Sequence, residues 1–273
     1  MSDKTTIPQL QQMKRDRKKI VGVVVWDYQM ARIAERAGVE IVSVGDSVGV
    51  NLWGQSSPLE VTMDQMVTVA QAARRGTSRA ILSCDLPYGP LQEGIAAAVR
   101  AGIRMVKEAG VDMVKLDGAA DFPEAVTALT LAGIPVWAQF GITPHTALQY
   151  GIEYGALSDA EASPEMAERL VSEARMLEEA GAVLLDFTNS GPAVGPQVSA
   201  AVSIPVIGGF GGGPWLDGRV RMAHAAIGYG VKYLDEDIET YANVARVTLD
   251  AMTAFSEDVR AARQIKGAAT PKK

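Results

Sequence analysis

The sequence has a single cysteine, Cys84, in 273 residues. One cysteine excludes an intrachain disulfide and any metal site built from several cysteines, and it is typical of a reducing compartment, so we expect a cytoplasmic protein. An excess of positive charge is also missing, because 26 Lys and Arg stand against 32 Asp and Glu, a net charge of −6. This balance argues against nucleic acid as a partner.

Long apolar runs are missing as well. The two long stretches without charge, residues 125–152 and 187–216, are interrupted by glycine and proline, whereas a membrane-spanning helix needs about 20 consecutive apolar residues. The basic residues at 14–19 and the apolar run at 20–26 mimic a signal peptide, but the run is short and ends at Asp27 without a small-residue cleavage site. We expect a helix end followed by a buried strand, and no membrane partner.

What the sequence does contain is an alternation of short apolar runs and helical patterns. The β-branched runs lie at 20–26, 39–44, 80–84, 113–116, 134–138, 182–185 and 204–207, and the helical segments at 29–36, 63–75, 92–108, 124–131 and 164–179. Continuous apolar runs of this length suit strands that are buried on both faces of a parallel sheet. Glycines that close the helical segments predict left-handed caps at Gly38, Gly76, Gly110, Gly133 and Gly181.

This alternation predicts an α/β protein with a parallel sheet. Seven clear strands in 273 residues favour a single-domain (β/α)8 TIM barrel, with a weaker eighth strand near 220–223. Residues 1–18 predict a leading helix, residues 237–263 predict one or two trailing helices, and the tail at 267–273 is expected to be frayed. No interdomain linker interrupts the pattern.

Acidic residues follow five of the first six predicted strands, namely Asp27, Asp46, Asp85, Asp117 and Asp186. In a barrel, the carboxyl ends of the strands meet at one mouth, where the active site lies. Carboxylates that lie so close repel one another, so we expect Mg²⁺ among them, with Asp46 and Asp85 as the ligand pair. Lys115 would offset charge or hold a substrate carboxylate. For each acid alone, the alternative is a turn residue or a helix N-cap.

Other polar residues near these strand ends have simpler structural interpretations. Ser47 is more typical of a helix cap than of a nucleophile, and Cys84 is typical of a small buried residue. Neither His145 nor His224 lies in a pattern that indicates a catalytic triad. The glycine-rich run at 208–213 is a weak dinucleotide fingerprint and better suits a loop that lets a substrate approach the backbone.

Seven segments together resemble the ketopantoate hydroxymethyltransferase family. They are VWDY at 25–28, VGDSVG at 44–49, DLPYG at 85–89, VKLDG at 114–118, GIPV at 133–136, GITP at 141–144 and IPVIG at 204–208. Their order and spacing fit the family over residues 8–260, which is nearly the whole chain. The GDS segment with the downstream DLP and VKL segments is the most specific part.

The resemblance implies a barrel of the phosphoenolpyruvate mutase and isocitrate lyase superfamily. It implies an enzyme of pantothenate biosynthesis that moves a hydroxymethyl group from 5,10-methylenetetrahydrofolate to 3-methyl-2-oxobutanoate, a branched 2-oxo acid, through an enolate. Mg²⁺ would be held by Asp46 and Asp85, with Asp117 as a further ligand, and the 2-oxo acid would chelate the metal. The residues that would contact the substrate are Asp46, Ser47, Asp85, Lys115 and Gln139. Asp186 would be the base. The family forms large homo-oligomers, typically decamers.

Three residues depart from the family pattern. The family usually has Glu where this chain has Asp117 and Asp186, and His where it has Gln139. Asp is one methylene shorter than Glu, and a misplacement on the order of 1 Å can cost about 100-fold in rate. Glutamine hydrogen-bonds but does not titrate. The glycine-rich loop is also one residue longer, so the fold is expected to hold while the exact 2-oxo acid stays open.

Three other functions therefore remain. One is a paralogue with a different 2-oxo acid acceptor. The second is a lyase of the same superfamily that breaks a C–C bond in a 2-oxo or 2-hydroxy diacid, although the chain has no Lys-Lys-Cys-Gly-His loop. The third is a metal or metabolite binder without catalysis. A binder should tolerate the loss of Asp186, whereas an enzyme should not.

Overall fold

Eight parallel strands form a closed barrel in the computed structural model, which describes residues 4–209 and 212–267. The strands are β1 (Ile20–Val24), β2 (Ile41–Val44), β3 (Ile81–Asp85), β4 (Met113–Leu116), β5 (Val136–Gly141), β6 (Leu184–Thr188), β7 (Val206–Gly208) and β8 (Gly218–Met222). Each strand pairs with the next in chain order, and the backbone N–H of Ile20 donates to the carbonyl of Asp217 to bring β8 against β1. The predicted (β/α)8 TIM barrel is confirmed, including its eighth strand.

The helices between the strands follow the predicted segments closely. Before Met222 they are α1 (Ile7–Arg15), α2 (Tyr28–Ala37), α3 (Val48–Trp53), α4 (Met63–Gly76), α5 (Ile95–Arg104), α6 (Pro123–Leu131), α7 (Ala167–Glu179) and α8 (Gly191–Ala201). The predicted segment 92–108 is α5 extended by a π-helical turn, Met105–Ala109. Helices α3 and α8 are additions to the predicted segments; α8 contains Pro196, which disguises it in the sequence.

The glycines that end the helices serve two different purposes. The left-handed conformation predicted for them is present at four positions, with φ between 68° and 99°: Gly38, Gly110, Gly133 and Gly181. For Gly76 the prediction is wrong, because this residue is the last of α4 and does not have a positive φ. A Cβ there would lie 2.6 Å from Cβ of Ala31 and 2.7 Å from the carbonyl oxygen of Tyr28. Gly76 therefore allows α2 and α4 to approach closely.

The interior of the barrel changes from apolar to polar along the strands. Near the amino ends, buried side chains from successive strands pack together with Leu10 of α1: Ile20, Ile41, Ile81, Met113, Trp137, Leu184, Ile207 and Val220. Side chains along a strand alternate between its two faces, so residues two positions later point into the same interior. Several of these later residues are polar, namely Ser43, Ser83, Lys115, Gln139 and Asp186. The apolar half holds the barrel together, and the polar half is left for the site.

A charged contact closes the outside of the barrel between β3 and β4. The carboxylate of Asp112 accepts hydrogen bonds from Nζ of Lys4 at 2.5 Å, from Nη1 of Arg74 at 2.9 Å and from the backbone N–H of Leu82 at 2.9 Å. Burial raises the pKa of Asp112, but these bonds outweigh it and hold the pKa below its usual range. The charged form of Asp112 therefore stabilises this corner of the fold.

Residues from Met222 onward form a second compact unit. It contains α9 (Ala223–Ala226), α10 (Lys232–Asp235) and α11 (Val244–Arg260). Asn243 begins α11, because its side chain accepts the N–H of Arg246 and donates to the carbonyl of Tyr233. Of the one or two trailing helices predicted at 237–263 the structure has one, α11, and residues 237–243 are not helical.

Several expectations lie at the limits of the described residues. The leading helix predicted in 1–18 is α1, and the frayed tail predicted at 267–273 lies outside the described residues beyond Gly267. Residues 210 and 211 of the glycine-rich run also lie outside them. Among the residues that are described, no helix combines the length and the apolar character needed to cross a membrane. The single-domain organisation of 1–273 stays a prediction.

Candidate active site

Six polar side chains converge at the carboxyl ends of β2 to β6. All are buried, with at most 8% of their surface exposed: Asp46, Asp85, Lys115, Asp117, Gln139 and Asp186. Strand register explains part of this, since Asp85 pairs with Lys115 across β3 and β4, and Gln139 pairs with Asp186 across β5 and β6. The structure therefore brings together every strand-end acid singled out in the sequence except Asp27.

Lys115 is the cation at the centre of the acids. Its Nζ lies 3.3 Å from Oδ2 of Asp186 and 3.6 Å from Oδ1 of Asp85, and it donates to Oε1 of Gln139. It also lies 5.5 Å from the centre of the Trp137 ring, a cation–π contact. Burial would lower the pKa of Lys115, but the surrounding carboxylates raise it well above its usual value. Lys115 is therefore charged and holds acids from two strands.

Gln139 is held on both sides of its amide group. Its Oε1 accepts from Lys115, and its Nε2 donates to Oγ1 of Thr188 at 2.9 Å. Because both ends are committed, the orientation of the amide is fixed by its neighbours. A neutral side chain thus occupies the position where the family resemblance leads one to expect a histidine.

A histidine enters the site from a position that the sequence analysis did not select. Nε2 of His145 lies 2.7 Å from Oδ2 of Asp46, and the backbone N–H of His145 donates to Oδ2 of Asp117 at 3.3 Å. His145 lies in the loop after β5, which ends at the same mouth as the acids. That position was the available signal, and the search for a catalytic triad pattern overlooked it.

Burial and crowding shift the ionisation of the site. Burial raises the pKa of Asp85 to about 7, with the charges of Asp46 and Asp117 adding to the shift and Lys115 opposing it. Burial likewise raises the pKa of Asp117 and of Asp186. Burial would lower the pKa of His145, but the charge of Asp117 and the hydrogen bond to Asp46 raise this pKa to about 9. The cluster therefore combines carboxyl groups that are hard to ionise with two cations.

Three other residues from the sequence analysis have clear positions. Asp27 is the N-cap of α2, where its side chain accepts the N–H of Met30 at 2.8 Å, so the structural interpretation holds for this acid. Ser47 occupies the N-cap position of α3, but its hydroxyl makes no capping hydrogen bond. Cys84 is buried as expected, and burial raises its thiol pKa well above the usual value.

The donor set of the cluster fits a hard cation. Oδ1 of Asp85 and Oδ1 of Asp117 are buried and receive no hydrogen bond from the described residues, while the N–H of Asp46 donates to Oδ2 of Asp85 at 3.3 Å. Within the described part of the chain, no group of three or more His, Cys, Asp or Glu has the arrangement of a complete metal site. Mg²⁺ needs only one or two protein carboxylates, with water or substrate as its other ligands.

Comparison with known proteins decides the family. The model of the ketopantoate hydroxymethyltransferase family matches residues 4–264. The chain belongs to the ketopantoate hydroxymethyltransferase family. A 3-methyl-2-oxobutanoate hydroxymethyltransferase of Cyanothece sp. is 37% identical over 258 residues, which covers 93% of this chain and 96% of the relative. The enzyme of the same name from Salinibacter ruber is 35% identical over 257 residues, covering 94% and 95%.

Solved structures that share the fold of this ketopantoate hydroxymethyltransferase family member include one described as a member of the phosphoenolpyruvate mutase and isocitrate lyase superfamily. The structure of 2,3-dimethylmalate lyase matches with a TM-score of 0.61 at 15% identity, covering 98% of this chain and 92% of that one. Phosphonopyruvate hydrolase in complex with oxalate and Mg²⁺ matches with a TM-score of 0.57 at 14% identity, covering 97% and 91%. At such identities the likeness concerns the fold alone. The family membership makes the chain an enzyme, a hydroxymethyltransferase.

Proposed function

We propose that this hydroxymethyltransferase adds the one-carbon unit of 5,10-methylenetetrahydrofolate to 3-methyl-2-oxobutanoate and gives 2-dehydropantoate, with Mg²⁺ as the metal. The observation that carries the proposal is the buried cluster in which Lys115 lies between Asp85 and Asp186 while Asp85 and Asp117 keep carboxylate oxygens without hydrogen bonds. A 2-oxo acid is an anion with adjacent oxygens, and this cluster offers both a cation and metal-binding oxygens for it.

Asp46 and Asp85 would hold the metal, with Asp117 as the further oxygen ligand. Mg²⁺, when bound, withdraws electrons from the ketone oxygen and makes the neighbouring C–H more acidic. The Oδ1 atoms of Asp85 and Asp117, which receive no hydrogen bond from the described residues, are the ligand atoms that support this assignment. Lys115 offsets the charge of the acids and attracts the substrate carboxylate, and Ser47, whose hydroxyl is not used as a helix cap, would donate to the substrate.

Asp186 is the residue that would remove the proton from C3 of the 2-oxo acid. It is buried, its Oδ1 receives no hydrogen bond from the described residues, and burial raises its pKa, which makes its carboxylate a better base. The electron pair left at C3 forms the new C–C bond to the folate-borne methylene carbon as one of its two C–N bonds breaks. Water replaces the second C–N bond and supplies the hydroxyl group of the product. The two nitrogens take up the proton removed from C3 and the proton left by water, and tetrahydrofolate leaves.

The shorter Asp186 and the neutral Gln139 bear on which acceptor is used. Lys115 holds Asp186 at 3.3 Å and is itself held by Gln139, so the three side chains form one hydrogen-bonded row across β4, β5 and β6. The alternative is a paralogue that uses another 2-oxo acid. Parallel measurements on several 2-oxo acids distinguish the two possibilities.

The test is proton exchange at C3 in D₂O, followed by NMR, with Mg²⁺ present or removed by chelation. We expect Mg²⁺-dependent exchange of 3-methyl-2-oxobutanoate that Asp186→Asn lowers by about 100-fold or more. Asp27→Asn is the matched control, since Asp27 also follows a strand but caps α2 outside the cluster. Equal exchange in Asp186→Asn would remove Asp186 as the base. No exchange with any 2-oxo acid would favour the lyase or the binder.

The proposed assembly is a homo-oligomer, a decamer by resemblance to the family. Helix α11 is 17 residues long with only Ala245 buried, and large apolar residues along it are 41% to 67% exposed: Val247, Leu249, Met252, Phe255 and Val259. Most of the stability of a helix in a protein comes from the packing of its apolar face. A second copy of the chain would cover this face. Light scattering at micromolar concentration tests it, and a monomer near 29 kDa would contradict it.

A further inference from the structure

The side chain of His145 links the acids of two different strands across the mouth of the barrel. Its Nε2 lies 2.7 Å from Oδ2 of Asp46, which follows β2, and its backbone N–H donates to Oδ2 of Asp117, which follows β4. The ring is 4% exposed and the carboxylate of Asp46 is 7% exposed. A short hydrogen bond between two such buried groups restricts both of them.

The loop that carries His145 is built to hold the ring in place. Oγ1 of Thr146 accepts from the N–H of Thr143 at 3.3 Å and lies 2.9 Å from Oγ1 of Thr143, which closes the turn around Pro144. On its other side the imidazole meets the ring of Tyr88 edge-on, with 5.7 Å between ring centres and 86° between planes. The ring is thus fixed by a turn, by an aromatic neighbour and by a carboxylate.

We infer that His145 is a positioning residue for the metal. By holding Oδ2 of Asp46, it fixes the rotation of that carboxylate and leaves the second oxygen as the metal ligand. The inference rests on the proposed function, because it assigns Asp46 to Mg²⁺. Hydrogen-bond partners of metal ligands typically change metal affinity by 10- to 100-fold when they are removed, since the ligand must then be ordered by the metal itself.

The opposite role makes an opposite prediction. If the imidazole instead competes with the cation for Asp46, its removal strengthens metal binding. The sign of the change in affinity therefore separates positioning from competition, and a merely structural role would move the stability of the protein without a specific effect on metal binding.

The experiment is calorimetric titration of the full chain with Mg²⁺ and with Mn²⁺ at a fixed concentration of 3-methyl-2-oxobutanoate. We expect His145→Ala to weaken metal binding by about 10- to 100-fold. His145→Gln keeps an N–H donor and should restore affinity to within about threefold of the wild type. Asp27→Asn is the control, because Asp27 caps α2 outside the cluster, and it should leave metal affinity unchanged.

A spectroscopic readout in the metal-free protein tests the hydrogen bond itself. The ¹⁵N resonance of the His145 Nε2 atom should shift in Asp46→Asn and stay in place in Asp27→Asn. The inference is overturned if the resonance ignores Asp46→Asn, or if His145→Ala binds metal as tightly as the wild type or more tightly. If the wild type neither binds metal nor exchanges the C3 proton, the proposed function fails and this inference fails with it. If the wild type exchanges the C3 proton but His145→Ala has unaltered metal affinity, the inference is overturned and the proposed function stands.

Discussion

Replacing Lys115 by methionine removes the charge at the centre of the acid cluster while keeping a chain of similar length. Lys115 lies 3.3 Å from Asp186 and 3.6 Å from Asp85, which corresponds to gross attractions of about 5 kcal/mol each at an effective dielectric constant of about 20. The cost of burying the ammonium group is recovered when it is removed, so the net destabilisation is smaller. Removing one partner of a buried ion pair typically costs about 3–5 kcal/mol.

The loss of folding stability in Lys115→Met should depend on pH in a defined direction. The pKa values of Asp85 and Asp186 are already raised, and without Lys115 they rise further, so the folded variant binds protons that the unfolded chain has released. Each such proton makes stability fall by about 1.4 kcal/mol per pH unit as the pH rises above the ordinary aspartate value toward the folded pKa. The penalty in Lys115→Met is therefore greater at pH 8 than at pH 5.

The assay is urea unfolding of the metal-free protein, followed by circular dichroism at pH 5 and at pH 8. A loss of about 3–5 kcal/mol at pH 8 corresponds to a fall in melting temperature of roughly 6–20 °C for a domain of this size. The double variant Lys115→Met with Asp186→Asn should recover part of the loss, since it removes one of the uncompensated charges. A Lys115→Met protein that is as stable as the wild type at pH 8, or equally destabilised at both pH values, would refute the reasoning.

Three further predictions concern other parts of the chain. Asp186→Glu should keep C3 exchange activity above that of Asp186→Asn, which the NMR assay measures, and an inactive Glu variant would mean that the site is fitted to the shorter acid. Asp112→Asn should lose about 1–3 kcal/mol at pH 7, because a carboxylate with a lowered pKa stabilises the fold above its ordinary pKa and loses that effect as the pH falls through the folded value. Unfolding curves at pH 7 and pH 3 check it, and a difference that does not shrink at pH 3 would contradict it. Gly76→Ala should cost about 1–3 kcal/mol through the clash with Ala31, despite its better helix propensity, and a more stable variant in urea would contradict the close-packing explanation.

The barrel could be predicted from the sequence because its signals are local and repeated. The eight strands begin and end within three residues of the predicted runs, and four of the five glycine caps have the expected conformation. Gly76 differs because a glycine is needed there for a close contact with α2, which is far away in the sequence. No local pattern reveals such a contact. Helix α8 was hidden by Pro196, which local propensity places outside helices.

The candidate site could be predicted as far as it follows from strand ends. Asp85 and Asp186 meet Lys115 because strand register delivers them to one mouth, and Asp46 and Asp117 follow strands that end there. Asp27 follows a strand too, but its side chain caps a helix. The surroundings of such an acid decide whether it caps a helix or belongs to the site. His145 was overlooked because loop residues have no register from which their position could be calculated.

The position of Leu10 has a consequence for how reactants reach the cluster of acids. Its side chain joins the buried layer that fills the amino end, and the cluster of acids lies at the opposite end. Two reactants that enter through one opening bind in sequence, and the one that lies deeper is enclosed by the second. For the proposed keto acid and folate we expect an ordered reaction, with the smaller keto acid first to bind and its product last to leave.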